Sequence, residues 1–274
     1  MPAVSVIIPT FDRKDLVREA VDSVLAQDFD DYELIVVDDG STDGTAEALA
    51  SYGRRLRLIR QANRGVSAAR NAGIRAAAAP LIALLDSDDL WLPGKLTAQT
   101  AFFRAHPDAL ICQSEEIWIR NGLRVNPRKK HRKPSGDIFE RSLQLCLVSP
   151  SAVMMRRRLL DEVGLFDESL PACEDYDLWL RVACRHPVYL IDKPLIVKRG
   201  GHADQLSRRP GLDRYRIRSL ARLLAGGRLD PARDAAARRV LQQKCAIYIQ
   251  GCLKRGKLEE ARRYREIAAK FAVD

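Results

Sequence analysis

Three carboxylates, Asp86, Asp88 and Asp89, fall within four positions at the end of the apolar run "LIALL", residues 81 to 85. Ionised together they repel one another, and burial makes this worse unless a cation or several donors compensate. Hard oxygen ligands on one turn, with coordination positions left over, suit Mg²⁺ or Mn²⁺ shared with the phosphates of a substrate. A plainer role for Asp88 or Asp89 is to cap a helix beginning near "LWLPGKL". A second cluster is "VVDDGSTDGT", residues 36 to 45, where a strand runs into Asp38 and Asp39. Asp39 can accept hydrogen bonds from a base N–H or from ribose hydroxyls, and Ser41 or Thr42 is expected to cap the next helix. In "NRGVSAARNAGIRAA", residues 63 to 77, Arg70 offers a fixed charge and a fork of donors for a diphosphate or base edge, or else lies on a solvated helix face. "CEDYDLWLRVACR" opens with Glu174, Asp175 and Asp177. The positive end of a helix keeps such a carboxylate ionised, so it can serve as general base, or it can simply complement the helix dipole.

These clusters need a frame that brings them to one place. The first half alternates short apolar runs, "VSVIIP", "YELIVV", "LRLIR" and "LIALL", with helical patterns at residues 13 to 27, 42 to 51 and 66 to 78. Continuous hydrophobic strands separated by helices predict a mainly parallel sheet covered on both faces, with ligands at the strands' carboxyl ends. Thr10 and Asp12, Asp38 and Asp39, and Asp86 to Asp89 all follow such a strand. After residue 108 the pattern turns mixed, with a strand expected in "ALICQSEEIWI" and an amphipathic helix after Glu174. From about residue 211 the chain reads as helices, ending in a helical hairpin docked on the body. We therefore expect a mainly parallel half over 1–108, with a ligand at its strand ends, a mixed half over 109–210 and a helical extension over 211–274. The first strand–helix turn, "IIPTFDRKD", lacks a glycine fingerprint, and no P-loop is present, which excludes nicotinamide and P-loop folds.

Taken together the motifs resemble those of the inverting glycosyltransferases of family 2. "VIIPTFDR", "VDDGSTD" at 37 to 43, Asn63 to Gly73, Asp86-Ser87-Asp88 and Glu174-Asp175 stand in the family's order and spacing over about residues 3 to 200. The resemblance implies the A-type glycosyltransferase fold, a single nucleotide-binding α/β sheet joined to an acceptor-binding half. It implies that Asp39 binds the base, with Thr10, Asp12, Asn63 and Arg70 around the nucleotide. Asp86 would contact the ribose or a metal-bound water, and Asp88 would be the metal ligand for Mn²⁺ or Mg²⁺. Asp175 would deprotonate the acceptor hydroxyl, so that configuration inverts. Glu174 and Asp177 are acceptor or diphosphate candidates. In "RGGHADQLSRR", His202 is a weaker candidate for the metal and Arg208 one for the phosphates. Asp12 stands where the family usually has Asn, which exchanges an amide donor for a group that only accepts.

The implied donor is a nucleotide-diphosphate sugar, UDP-sugar first, and the implied acceptor a glycan or lipid-linked glycan, in polysaccharide synthesis. Two rivals are a haloacid-dehalogenase-like phosphotransferase with Asp86 as nucleophile and a non-catalytic sugar-nucleotide-binding module. The net charge of +10 and pI near 9.5 predict anionic partners. The basic run Arg128 to Lys133 is read as a disordered loop first, a contact with anionic membrane or a lipid diphosphate second, and nucleic acid last, since no nucleic-acid motif accompanies it. Six cysteines without C-x-x-C spacing are expected to be free thiols. With no long apolar run and no leader, we expect a cytoplasmic protein, peripheral at most to the inner face of the membrane.

Overall fold

The β-branched runs of the first half form strands with both faces buried, and the side chains alternate between two cores. The structure is a computed structural model, and it describes residues 1–126, 128–201 and 210–272. In chain order the elements are β1 (Val4–Thr10), α1 (Lys14–Leu25), β2 (Tyr32–Asp38), α2 (Thr45–Ala50), β3 (Arg57–Arg60), α3 (Val66–Ala76), β4 (Leu81–Leu84), β5 (Leu90–Trp91) and α4 (Lys95–Ala105). There follow β6 (Ile111–Arg120), β7 (Leu123–Val125), α5 (Phe139–Gln144), β8 (Val153–Arg156), α6 (Arg157–Val163), α7 (Glu174–Ala183), β9 (Tyr189–Gly200), α8 (Asp213–Ala225), α9 (Pro231–Lys254) and α10 (Leu258–Lys270).

One sheet runs in the order β3-β2-β1-β4-β8-β6-β9-β5, with β7 paired to β6. The first four strands are parallel, and Thr10 of β1 stands opposite Asp38 of β2. β8 is antiparallel to both β4 and β6, and β9 runs parallel to β6, so the second half is mixed as the sequence pattern predicts. Ile7, Ile35 and Val37 point to the face covered by α3, α5, α6, α7 and the three C-terminal helices. Val6, Ile8, Leu34 and Val36 point to the other face, covered by α1, α2 and α4. This two-sided burial is why the strands read as unbroken apolar runs.

Gly73 lets α3 lie close on the sheet, since a Cβ there would meet Ile7 Cγ2 at 2.4 Å. The expected C-terminal hairpin is α9 and α10, and its buried residues, including Cys245, Cys252 and Ala261, join the same core as α5 and α7. All six cysteines are free. Two local expectations are corrected. Neither Ser41 nor Thr42 caps α2: the N-cap is Gly44, and Asp43 Oδ1 receives the Thr45 N–H at 3.0 Å. Neither Asp88 nor Asp89 caps a helix near "LWLPGKL": Leu90 and Trp91 are a strand, and α4 starts after Gly94 in a left-handed conformation.

Candidate active site

The strand ends at β1 and β2 are laced together by carboxylates taking backbone N–H groups. Asp12 (φ 47°) accepts the Thr42 N–H at 2.7 Å, while its own N–H goes to Ser41 Oγ at 2.9 Å. Asp38 is fully buried and accepts the Ser41 N–H. Asp39 is 3% exposed and accepts from Gln61 Nε2 at 2.6 Å and from the Arg64 and Gly65 N–H groups. Asp39 thus shapes the loop carrying Asn63, and only glycine fits at position 40, where a Cβ would meet Asn63 N at 2.9 Å. The hydroxyl of Thr10 is buried and has no hydrogen-bond partner among the described residues.

The loop after β4 is held from the second half of the chain. Ser151 Oγ accepts the Asp86 N–H at 3.1 Å and donates to Asp89 Oδ2 at 2.6 Å. The Arg199 N–H reaches Asp89 Oδ1 at 2.9 Å, and Arg13 pairs with Asp88 at 3.1 Å. Asp89 is 2% exposed, and burial together with the Asp88 and Asp86 charges pushes its carboxyl above the usual range despite nearby Lys198.

Arg70 joins this loop to α7. Its guanidinium, 4% exposed, donates to Asp86 Oδ1 at 2.7 Å and to Glu174 Oε1 at 2.6 Å. Burial opposes the Arg70 charge, but Asp86 and Glu174 hold it firmly protonated. Glu174 is raised by burial and by Asp175, with Arg70 working against both. The neighbouring Asn71 fixes the segment before α7 by hydrogen bonds in both directions with the Phe166 backbone. Cys173, at φ 61°, turns the chain into α7 so that Glu174 and Asp175 open the helix. Asp175 Oδ1 takes the Tyr176 N–H at 2.7 Å, and Oδ2 lies 3.5 Å from the Cys146 thiol. Burial and then the Asp175 charge drive that thiol well up, so it stays an S–H donor.

Arg70, Asp86, Asp88, Glu174 and Asp175 line one cavity of about 460 Å³. Thr10, Asp12, Asp39 and Asn63 occupy the same carboxyl edge of the sheet but do not line this cavity. Asp177 is not brought to it: the side chain pairs with Arg181 at 3.0 Å and lines a separate cavity of about 360 Å³, because two residues of helix, about 200°, turn it away from Asp175. His202 and Arg208 lie outside the described residues.

The cavity also holds groups that the motifs do not flag. Glu116 and Lys133 pair at 2.8 Å with both side chains buried, and Lys198 approaches from β9, where it stands opposite Trp118. Burial works to raise Glu116, but Lys198 and Lys133 bring it below the usual range. Burial works to lower Lys198, yet Glu116, Asp89 and Asp86 keep it protonated. The basic run is therefore not a disordered loop: Lys129–His131 form a helical turn, and Lys133 is anchored inside. A lysine at the end of "LIVK" and a glutamate pair inside a strand pattern were the available signals.

The residues present fit a divalent cation. Asp88, beside Asp86, offers hard oxygens where carboxylates crowd, and no group of three or more ligating side chains occurs among the described residues. Such a partial set suits Mg²⁺ or Mn²⁺ completed by water and phosphate oxygens.

A parallel first half, a mixed second half and one charged cavity lined from both are the features of the A-type glycosyltransferase fold. Residues 5–164 match the model for glycosyl transferase family 2, and the chain belongs to that family. A curated relative, an uncharacterized glycosyltransferase of Rickettsia bellii, is 33% identical over 215 residues, which are 76% of this chain and 31% of that protein. The chain thus spans about a third of that relative's length. Staphylococcus aureus TarS 1-349 in complex with UDP-GlcNAc superposes with a TM-score of 0.79 at 22% identity, covering 99% of this chain and 80% of that one. The Pyrobaculum calidifontis mannosyltransferase PcManGT, in complex with GDP-Man and Mn²⁺, gives 0.57 at 20% identity, covering 98% and 84%. Asp86 closes the fourth strand in the chain rather than the first, which sets aside the haloacid-dehalogenase-like alternative.

Proposed function

We propose that the protein transfers a sugar from a nucleotide-diphosphate sugar, UDP-sugar first, to a hydroxyl of a glycan or lipid-linked glycan, with inversion, in the cytoplasm. One observation carries the reading: a single cavity joins Asp86 and Asp88, from the sheet's carboxyl edge, to Asp175 at the start of α7. The TarS and PcManGT complexes, which hold UDP-GlcNAc and GDP-Man, support the donor class.

Asp175 takes the proton from the acceptor oxygen as that oxygen bonds to the anomeric carbon. The bond from this carbon to the diphosphate oxygen breaks, and its electron pair leaves with the nucleoside diphosphate. The Tyr176 N–H, at the α7 N-terminus, holds Oδ1 of the base. Arg70 fixes Glu174 and Asp86, so the base and the diphosphate end are held at a set separation. Asp88, with Asp86 beside it, would hold Mg²⁺ or Mn²⁺, whose charge offsets that of the departing diphosphate. Asp39, Thr10, Asp12 and Asn63 form the base end of the nucleotide site, where the orphaned Thr10 hydroxyl is one available polar group.

Calorimetric titration of UDP, GDP and dTDP, with and without Mn²⁺, tests this. Binding of one nucleotide that requires metal and is lost in Asp88→Ala is expected. Failure of every nucleotide to bind under either condition would sink the assignment.

A further inference from the structure

We propose that the acceptor is a polyanionic glycan, which leaves the catalytic cavity over Trp118 and lies along the basic surface formed by the β6–β7 hairpin and residues 128–132. This rests on the glycosyl-transfer reading and adds the acceptor's charge class.

Between Trp118 and Lys133 the sequence carries seven Lys and Arg and no Asp or Glu. Lys133 is spent inside on Glu116. The other six, Arg120, Arg124, Arg128, Lys129, Lys130 and Arg132, are exposed, and none forms an ion pair among the described residues. Elsewhere on the molecule exposed arginines such as Arg64, Arg222 and Arg262 find carboxylates, so this is a concentration of uncompensated charge. Such a surface attracts a chain bearing repeated negative groups.

The patch is a cleft and not only a charged rim. An open cleft of about 270 Å³ lies between Glu115 and Glu116 on one side and Arg128, Lys129, Arg132 and Lys133 on the other. Trp118 and His131, with ring centroids 5.3 Å apart, line both this cleft and the catalytic cavity, as do Glu116 and Lys133. The two spaces therefore meet at an aromatic pair, and an aromatic face is a sequence-tolerant platform for a flat apolar ring face flanked by hydrogen-bonding groups. β6 sets this arrangement. Irregular pairing with β9 around Glu115 shifts the register, after which Trp118 stands opposite Lys198 and the hairpin carries Arg120 and Arg124 outward. A bilayer would ask for an apolar face beside the cations, and the hairpin exposes one large apolar residue, Leu123.

The test uses the full chain with oligogalacturonate, neutral maltooligosaccharide and vesicles of phosphatidylglycerol with phosphatidylcholine, alongside a separate UDP titration. Trp118 reports binding directly, because Trp91 and Trp179, the other two tryptophans, are 3% and 1% exposed. Oligogalacturonate is expected to change the tryptophan fluorescence and to weaken with added salt. The combined variant Arg128→Gln, Lys129→Gln, Lys130→Gln is expected to lose about tenfold in that affinity while binding UDP as before. Trp118→Phe should abolish the fluorescence change while binding persists by calorimetry. Equal binding of the neutral oligosaccharide, no binding of oligogalacturonate, or vesicle binding in its place would overturn the proposal. Failure of UDP, GDP and dTDP alike to bind the wild-type chain would instead count against the glycosyl-transfer reading.

Discussion

The loops at the ends of β1 and β2 and the cavity beside them compensate their carboxylates differently. At the ends of β1 and β2, Asp12, Asp38, Asp39 and Asp43 are met by backbone N–H groups of adjacent loops. Inside the cavity, Glu116 and Glu174 are met by the side-chain cations Lys133, Lys198 and Arg70. Backbone donors come with the turn and survive most substitutions. A buried cation is one side chain, and removing it leaves a charge without compensation.

The comparison can be broken at four points. The largest effect is expected from Asp175→Asn, which keeps the shape but removes the proton acceptor: kcat should fall by about 10²–10⁴-fold with nucleotide affinity unchanged. Transfer at the wild-type rate would mean that Asp175 is not the base. Next is Arg70→Lys, since an ammonium cannot span Asp86 and Glu174. We expect destabilisation of about 3 kcal/mol in denaturant titration, together with a drop in kcat. Unchanged stability would mean that the α7 side is no more fragile than the β1 and β2 loops.

Lys95→Met tests a buried cation remote from chemistry. Lys95 is fully buried over the Trp91 ring, and burial, with Lys133 adding to it, brings its pKa down to about 7 although Cys112 opposes this. Its folded pKa lies below the unfolded 10.5, so the unfolded chain binds the proton more tightly between these values. Stability should therefore rise as pH increases from about 7 toward 10.5, and the destabilisation is fully present below that window. The methionine variant should melt higher at neutral pH and lose this slope; a melt with the wild-type pH dependence would refute the argument. The smallest effect is expected from Asp177→Asn: because it faces Arg181, kcat should stay within about twofold of wild type. A large loss in a steady-state assay would return Asp177 to the site.

The parallel half was legible because β1, β4 and most of β2 are buried on both faces and the carboxylates follow these strands closely. Asp39, Asp86 and Asp88 could be placed by counting from an apolar run. Glu174 and Asp175 were legible as a helix start, but Asp177 was not separable from them, since acidic residues in a first turn look alike until the helix is rotated onto its neighbours. The capping expectation at Ser41 and Thr42 failed because those groups are taken up in ties to Asp12 and Asp38.

The sequence by itself determined a two-sided parallel sheet, the carboxylates at its edge and the family, because strand burial and short-range spacing are written in consecutive residues. Tertiary structure alone decided which carboxylates share the cavity, that Arg70 clamps two of them across 16 and 104 positions, and that Lys133 turns inward while its basic neighbours stay outside. Those outcomes depend on desolvation and on partners distant in the chain, and a buried charge keeps the partner that packing delivers to it.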